Sequence, residues 1–132
     1  MKIFKGRIFS FLRKPDDMND AGSYIYLEKG AVVCDDKGVI VEVNDYSKLN
    51  KKYKSAKTED FGSKIICPGF IDLHNHFPQT QVIASYGTKL LEWLNKYTFP
   101  NESLFFDEKH CERESKIFLD LLNSNGITTS VS

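Results

Sequence analysis

Two histidines, His74 and His76, lie two residues apart at the end of an apolar run that follows the turn signal Pro68-Gly69. In a β-strand the side chains at positions i and i+2 leave the same face, so both imidazoles can point at one ion. Neutral imidazole is a common protein ligand of divalent metals. The spacing therefore predicts half of a metal site, although a bare pair of histidines also occurs in many proteins that bind no metal.

The residues before the pair favour the metal interpretation. The stretch from Ile65 to Leu73 is apolar except for Cys67-Pro68-Gly69 and Asp72, which is typical of a strand buried on both faces. Asp72 has the same parity as both histidines, so the polar groups gather on one side of the strand. Polar groups are costly to bury unless they find a polar partner. We therefore take this side of the strand as the candidate site.

The composition limits the class of protein. A chain of 132 residues with 41% hydrophobic content is one ordinary domain or a piece of a larger protein. Its 18 basic and 18 acidic residues balance, which gives no electrostatic reason to expect nucleic acid or a membrane as partner. Without a long apolar run or a secretory segment, we expect a soluble cytoplasmic protein. Its three distant cysteines, Cys34, Cys67 and Cys111, are expected to be reduced thiols.

The elements that must position the histidines begin with a β-rich portion, residues 1–66. Its short apolar and aromatic runs predict a small antiparallel sheet with tight hairpins. The predicted strands are Lys2–Leu12, Tyr24–Leu27, Ala31–Val33 and Val39–Val43. A surface loop is expected over Lys14–Ser23, and Asp45 is expected to N-cap a short helix that runs through Tyr53.

The second portion, residues 67–132, changes to helical periodicity. Leucines and a tryptophan between Leu90 and Leu94 predict a short helix that Pro100 ends. An apolar stripe predicts a longer helix from about Asp107 to Asn123, closed by Asn125-Gly126. The β-branched segment Ile127–Val131 is then a strand. The order strand, helix, strand is a βαβ unit, which predicts a parallel sheet and a right-handed crossover.

Two features of this portion lead us to expect a fragment of a larger protein. A parallel strand at the chain end would expose unpaired backbone groups on an apolar sequence. The connection from His76 to the long helix carries its own short helix and is longer than an ordinary βα loop. Such insertions usually cover active sites.

The segment ICPGFIDLHNH, which leads from the β-rich portion into a parallel βα series, resembles the amidohydrolase superfamily of metal-dependent hydrolases. Its continuation HFPQTQVIASYGTKLLEWLNKYTFPNE, from His76 to Glu102, is similar to the guanine deaminase family. The resemblance implies an α/β fold. Residues 1–66 would be the N-terminal part of a small β-sandwich domain, and residues 67–132 the first strand, helices and second strand of an incomplete TIM-like (β/α)8 barrel, which needs about 250 residues when complete.

The resemblance also implies a function. The chain would be the N-terminal fragment of a zinc-dependent enzyme that hydrolyses guanine to xanthine and ammonia in purine catabolism or salvage. His74 and His76 would be two ligands of one Zn²⁺ per active site, supported by Asp72. Gln79 would bind the purine through its amide, and Trp93 would either wall the base pocket or pack in the core. Packing positions are expected for the remaining candidates, Phe77, Tyr86 and Tyr97, and a packing or surface position for His110.

The implied chemistry needs residues that this chain lacks. Zinc would lower the pKa of a bound water towards roughly 7, and a carboxylate would have to carry the proton to the leaving ammonia. No residue of the chain is assigned as that general acid and base, which we expect beyond Ser132 together with the other metal ligands. The fragment alone is therefore expected to be inactive.

Other interpretations stay open. Another amidohydrolase, such as a cytosine-type or triazine-type deaminase or a chlorohydrolase, would share the histidine pair. A non-catalytic relative of the fold would share the architecture alone, and in a self-contained small β/α domain the pair would be incidental. For the full-length enzyme, the resemblance suggests a homodimer that acts on a small molecule.

Overall fold

The computed structural model describes all residues from 1 to 132 and divides into two compact units, Met1–Pro68 and Gly69–Ser132. Each unit has its own sheet, and the fold is mixed α/β. None of the helices is both long enough and apolar enough to cross a lipid bilayer.

The first unit is a four-stranded sheet with the order β3-β2-β1-β4. Its strands are β1 (Lys2–Phe11), β2 (Tyr24–Cys34), β3 (Ile40–Asp45) and β4 (Lys57–Ile66). The pairs β1–β2 and β2–β3 are antiparallel, whereas β4 runs parallel to β1. The predicted strands therefore pair antiparallel, as expected, but the sheet has a fourth strand, β4, that the sequence did not predict and that pairs in parallel. No strand was predicted at the start of β4, because its sequence KTEDFGSKII is largely exposed at the sheet edge and carries no alternating apolar signal.

Two of the predicted strands, Tyr24–Leu27 and Ala31–Val33, are the two ends of β2. The polar residues between them hid this continuity, since they interrupt the apolar pattern. The strand nevertheless continues through a register shift between Gly6 and Ile8 of β1. Gly30 allows the two strands to approach closely. A Cβ atom there would lie 2.4 Å from Cγ1 of Ile8, which is closer than side chains tolerate.

The core of the first unit joins the sheet to one helix, α1 (Tyr46–Lys52). Ile3, Val33 and Leu49 are completely buried, and with Ala31 they form one apolar cluster. As predicted, Asp45 occupies the N-cap and Tyr53 follows the last turn, but the Asp45 side chain makes no capping hydrogen bond. The helix is therefore held by apolar packing on the sheet.

The second unit is a βαβ unit, as predicted. Strand β5 (Phe70–Asp72) pairs in parallel with β6 (Ile127–Ser130), and the long helix α4 (Glu108–Ser124) connects back to β6. Asp107 caps α4 by accepting the backbone N–H of Lys109 at 3.2 Å. At the other end Gly126 adopts φ +76°, the left-handed conformation that closes many helices.

The connection between β5 and α4 is more helical than predicted. A 3-10 turn (Phe77–Val82) is followed by α2 (Leu90–Trp93), a π-helical turn (Leu94–Thr98) and α3 (Phe99–Ser103). Pro100 does not end a helix but lies in the first turn of α3. Proline is tolerated there, because the backbone N–H groups of a first turn have no partner within their own helix.

The strand that precedes the histidines differs from its prediction. Ile65 and Ile66 end β4, whereas Phe70 begins β5 in the second unit. Phe70 and Leu73 are 62% and 74% exposed, so the expected burial on both faces is wrong for this chain. The physical reason is that β5 has β6 as its one neighbour in a two-stranded sheet, which leaves the apolar side chains of β5 largely uncovered.

Truncating Leu49 tests the core of the first unit. Replacing Leu49 with Ala leaves a cavity between α1 and the sheet, and we expect the free energy of unfolding to fall by about 2–5 kcal/mol. Urea unfolding followed by circular dichroism measures this loss. Leu12→Ala is the matched control, because Leu12 is exposed and should change stability by less than about 0.5 kcal/mol. Equal losses in both variants would contradict the packing described.

A hydrogen-bonded carboxylate makes the first unit sensitive to acid. Glu42 on β3 accepts from Lys52 Nζ at 2.6 Å and from the Tyr53 hydroxyl at 2.8 Å, and these bonds lower the pKa of Glu42. A lowered carboxyl pKa stabilises the fold above the pKa of the unfolded chain, and this contribution disappears as pH falls through the lower pKa of the folded state.

We therefore expect Glu42→Gln to be less stable than the unaltered chain at pH 7, with the difference vanishing in acid as Glu42 becomes protonated. Unfolding measured across that pH range checks this. Glu59→Gln, at an exposed position on β4, is the control and should show no such convergence. A difference for Glu42→Gln that persists at the lowest pH would contradict the assignment.

Candidate metal centre and base site

His74 and His76 follow the carboxyl end of β5, and both imidazoles are exposed. Their Nε2 atoms lie 3.2 Å apart, and the two rings stand at 80° to each other. Two nitrogens bound to one tetrahedral zinc at about 2.0–2.1 Å are about 3.3 Å apart. The separation therefore fits two ligands of a single divalent ion.

The chain supplies no further ligand to this pair. No group of three or more His, Cys, Asp or Glu side chains is arranged to hold a metal ion. A tetrahedral zinc takes at least three protein ligands in hydrolytic sites. Any ion held by His74 and His76 would therefore need ligands from outside these residues.

Asp72 lies at the end of β5 and is half-buried. Its Oδ1 accepts the backbone N–H of His74 at 3.1 Å, and it makes no hydrogen bond with either imidazole. In this way the carboxylate holds the turn that carries the first histidine. Asp72 acts on the backbone of the pair and not on its rings.

The residue between the histidines, Asn75, makes a contact that sequence reasoning missed. Its Nδ2 donates to Oγ of Ser130 on β6, across 55 residues of sequence, while its Oδ1 is buried without a partner. The alternation that places His74 and His76 on one face assigns Asn75 to the other, so its only signal was a polar residue in an apolar segment. Asn75 ties the histidine turn to the neighbouring strand.

Beside the histidines lies a depression of about 500 Å³, a size typical of small-molecule sites. His76, Gln79 and Trp93 line it together, so the structure brings these three candidates to one place. Most of the remaining wall is apolar and comes from α4 and from the segment after the 3-10 turn. A flat apolar ring with a few polar edges suits such a lining.

Gln79 is held at both its backbone and its side chain. Its backbone N–H donates to the carbonyl oxygen of His76 at 2.9 Å, and its Nε2 donates to Oε1 of Glu102 on α3 at 2.8 Å. Asn101, which is buried, also donates its Nδ2 to the carbonyl oxygen of Pro78. Helix α3 therefore anchors the turn that follows the histidines, and neither Asn101 nor Glu102 was predicted to do so.

Trp93 both packs in the protein and lines the depression. Its indole Nε1 donates to the carbonyl oxygen of Ser85 at 2.9 Å, so the polar edge of the ring is used within the chain. A Cβ atom at Gly87 would lie 2.7 Å from Cβ of Trp93, which shows how closely the backbone approaches. The half-buried indole therefore lines the depression and also packs against the backbone of the loop before α2.

The other aromatic candidates differ in how far they are buried. Phe77 packs edge-on against Phe105 at 5.3 Å between ring centroids, as expected, and Tyr97 is half-buried. Tyr86 is 78% exposed in the loop before α2, so its predicted packing is wrong, because no element covers that loop. His110 is a packing histidine, buried with its ring edge-on to Phe105 at 4.9 Å.

Comparison with known proteins finds guanine deaminases among both the curated sequences and the solved structures. No family model matches the chain. Guanine deaminase of Escherichia coli (strain K12) is 30% identical over 99% of this chain and 30% of that protein, and guanine deaminase of Dictyostelium discoideum is 32% identical over 98% of this chain and 30% of its own length. The crystal structure of guanine deaminase from Bradyrhizobium japonicum aligns with a TM-score of 0.91 and 34% identity, covering 98% of this chain and 28% of that one.

These matches show that nearly the whole of this chain is homologous to one part of guanine deaminases, which confirms the resemblance seen from His76 to Glu102. The chain spans about 30% of the length of the curated relatives that it matches.

The histidine pair can be tested by metal titration. We expect His74→Ala and His76→Ala each to weaken binding of Zn²⁺ or Co²⁺ by about tenfold or more, since losing a direct ligand costs at least as much as losing its outer partner. Isothermal titration calorimetry of the complete protein that contains this chain gives these affinities. His110→Gln alters the third histidine and should leave them unchanged. Equal affinities in all the variants would show that the pair holds no metal.

Proposed function

We propose that this chain is the N-terminal part of a zinc-dependent guanine deaminase, an enzyme that hydrolyses guanine to xanthine and ammonia. The observation that carries the proposal is the convergence of His74 and His76, with Nε2 atoms 3.2 Å apart, in a chain homologous to guanine deaminases. Gln79 and Trp93 line the depression beside this pair, where the base would bind.

The proposed architecture is an incomplete one. Residues 1–66 form the N-terminal portion of a small β-sandwich domain, and residues 67–132 form the first βαβ unit of a TIM-like (β/α)8 barrel. The parallel pairing of β5 with β6 supports this, because barrels of this type repeat that unit. The exposure of Phe70, Ile71, Leu73 and Val131 supports it too, since further strands and helices would cover these apolar side chains.

The metal would be one Zn²⁺ per active site. When bound, such an ion supplies a water molecule of lowered pKa and stabilises developing negative charge. His74 and His76 would hold the ion through Nε2, and Asp72 and Asn75 would keep the turn between them in place. The remaining ligands would come from residues outside this chain, because it offers no third ligand.

The base would bind against the depression. The amide of Gln79 carries both donors and an acceptor, so it can recognise the polar edge of a purine. The indole of Trp93, whose N–H is already bonded to Ser85, would offer an apolar surface to the ring. Such a site selects a flat heterocycle with hydrogen-bonding edges.

Proton transfer is assigned to residues outside the chain. Two carboxylates that contact the site residues already accept hydrogen bonds from the protein: Asp72 from the backbone of His74, and Glu102 from the amide of Gln79. A general acid and base must be within hydrogen-bonding reach of the reacting atoms, whereas these two carboxylates are engaged with the protein. The 132 residues alone are therefore expected to be inactive, and the complete enzyme is proposed to act in the cytoplasm as a homodimer.

The test is an assay of ammonia release by the complete enzyme that contains this chain. We expect turnover of guanine that requires metal and is lost in His74→Ala, because that variant loses a ligand. Adenine, cytosine and triazines should be poor substrates, and the isolated chain with added zinc should show no turnover. His110→Gln is the matched control and should retain activity.

Each alternative has its own outcome. Turnover of cytosine or a triazine without turnover of guanine would assign the chain to another deaminase. A complete protein that binds no metal and is insensitive to chelators would be a non-catalytic relative. Measurable turnover by the isolated chain would contradict the assignment of proton transfer to residues outside it.

A further inference from the structure

Glu102 and Gln79 form a hydrogen-bonded pair beside the depression. Glu102 Oε1 accepts from Gln79 Nε2 at 2.8 Å, across 23 residues of sequence, and both side chains are partly buried. An ionised carboxylate has only acceptors, so the amide of Gln79 must turn its NH₂ group towards Glu102. The orientation of the amide is therefore set by a protein charge and not by the ligand.

The elements that carry this pair are themselves anchored. Asn101, the neighbour of Glu102 on α3, donates its Nδ2 to the carbonyl oxygen of Pro78, the neighbour of Gln79. The backbone N–H of Gln79 is bonded to the carbonyl oxygen of His76 at 2.9 Å. Two adjacent cross-links thus join α3 to the turn after the histidines. The pair is held in place before any ligand arrives, which lowers the entropic cost of binding.

We propose that Glu102 is a positioning residue for substrate specificity, which holds the amide of Gln79 so that its Oε1 is free to accept an N–H of the base. This inference rests on the proposed function, in which Gln79 binds the purine. Because the NH₂ group of Gln79 faces Glu102, its Oε1, the one acceptor of the amide, faces away from Glu102. A ring that offers no N–H opposite Oε1 of Gln79 would leave this oxygen without a hydrogen-bond partner. The site would therefore bind such a ring more weakly.

The competing role for Glu102 is that of the general base. The two roles predict different kinetics, because a positioning residue acts on binding through Gln79 whereas a general base acts on the chemical step. Replacing Glu102 with Gln removes the charge at nearly constant volume. Either amide of the resulting pair can then face either way, so the acceptor of Gln79 is no longer preset.

The experiment measures kcat and KM for guanine in the complete enzyme and its variants. For Glu102→Gln we expect KM to rise by about tenfold with kcat changed by less than about twofold, as for loss of one charge-assisted hydrogen bond used in binding. In a Gln79→Ala background the same substitution should have no further effect, because residues that act through one another are not additive. Glu112→Gln, on the exposed surface of α4, is the matched control and should match the unaltered enzyme.

A second readout does not depend on activity. The side-chain NH₂ resonances of Gln79 should shift in Glu102→Gln, while those of the exposed Gln81 stay unchanged. A fall in kcat by orders of magnitude at constant KM, additive effects in the double variant, or unaltered Gln79 resonances would each overturn the inference. If the unaltered enzyme does not turn over guanine, the proposed function fails and the inference fails with it. Normal turnover with an unchanged KM in Glu102→Gln overturns the inference alone.

Discussion

The parallel pairing of β5 with β6 is the constraint on which the candidate site depends. Helix α4 returns the chain so that β6 lies beside β5, and the backbone N–H of Val131 donates to the carbonyl oxygen of Asp72 at 2.9 Å. Parallel strands bring their carboxyl ends to the same edge of a sheet, where ligands bind in many α/β proteins. The histidine turn follows that edge, and Asn75 fastens it to Ser130.

The contacts that fold the long connection between β5 and α4 also shape the proposed base site. The contacts that fold it, from Asn101 to Pro78 and from Glu102 to Gln79, also place the amide of Gln79 beside the histidines. Trp93 likewise uses its polar edge to hold the backbone of Ser85 and leaves its ring to the depression. This connection therefore forms part of the wall of the proposed base site.

Local patterns predicted the parts of the fold whose stability is local. Helix α4 was recognised because an apolar stripe and the closing Asn125-Gly126 lie within one continuous segment. Most of strand β4 was not recognised, because its backbone pairing with β1 stabilises this polar edge strand. Its own side chains carry no pattern that predicts the pairing. Pro100 misled the prediction for a similar reason, because its effect on a helix depends on which turn it occupies.

The sequence by itself determined the histidine pair, the βαβ order and the family resemblance, because each of these depends on residue types at short and regular spacings. Only the tertiary structure decided that the two Nε2 atoms converge, that Asn75 meets Ser130, and that Glu102 meets Gln79. These contacts depend on side-chain rotamers and on segments 23 and 55 residues apart. Packing of the whole unit sets them, and no local propensity encodes which distant polar groups will become neighbours.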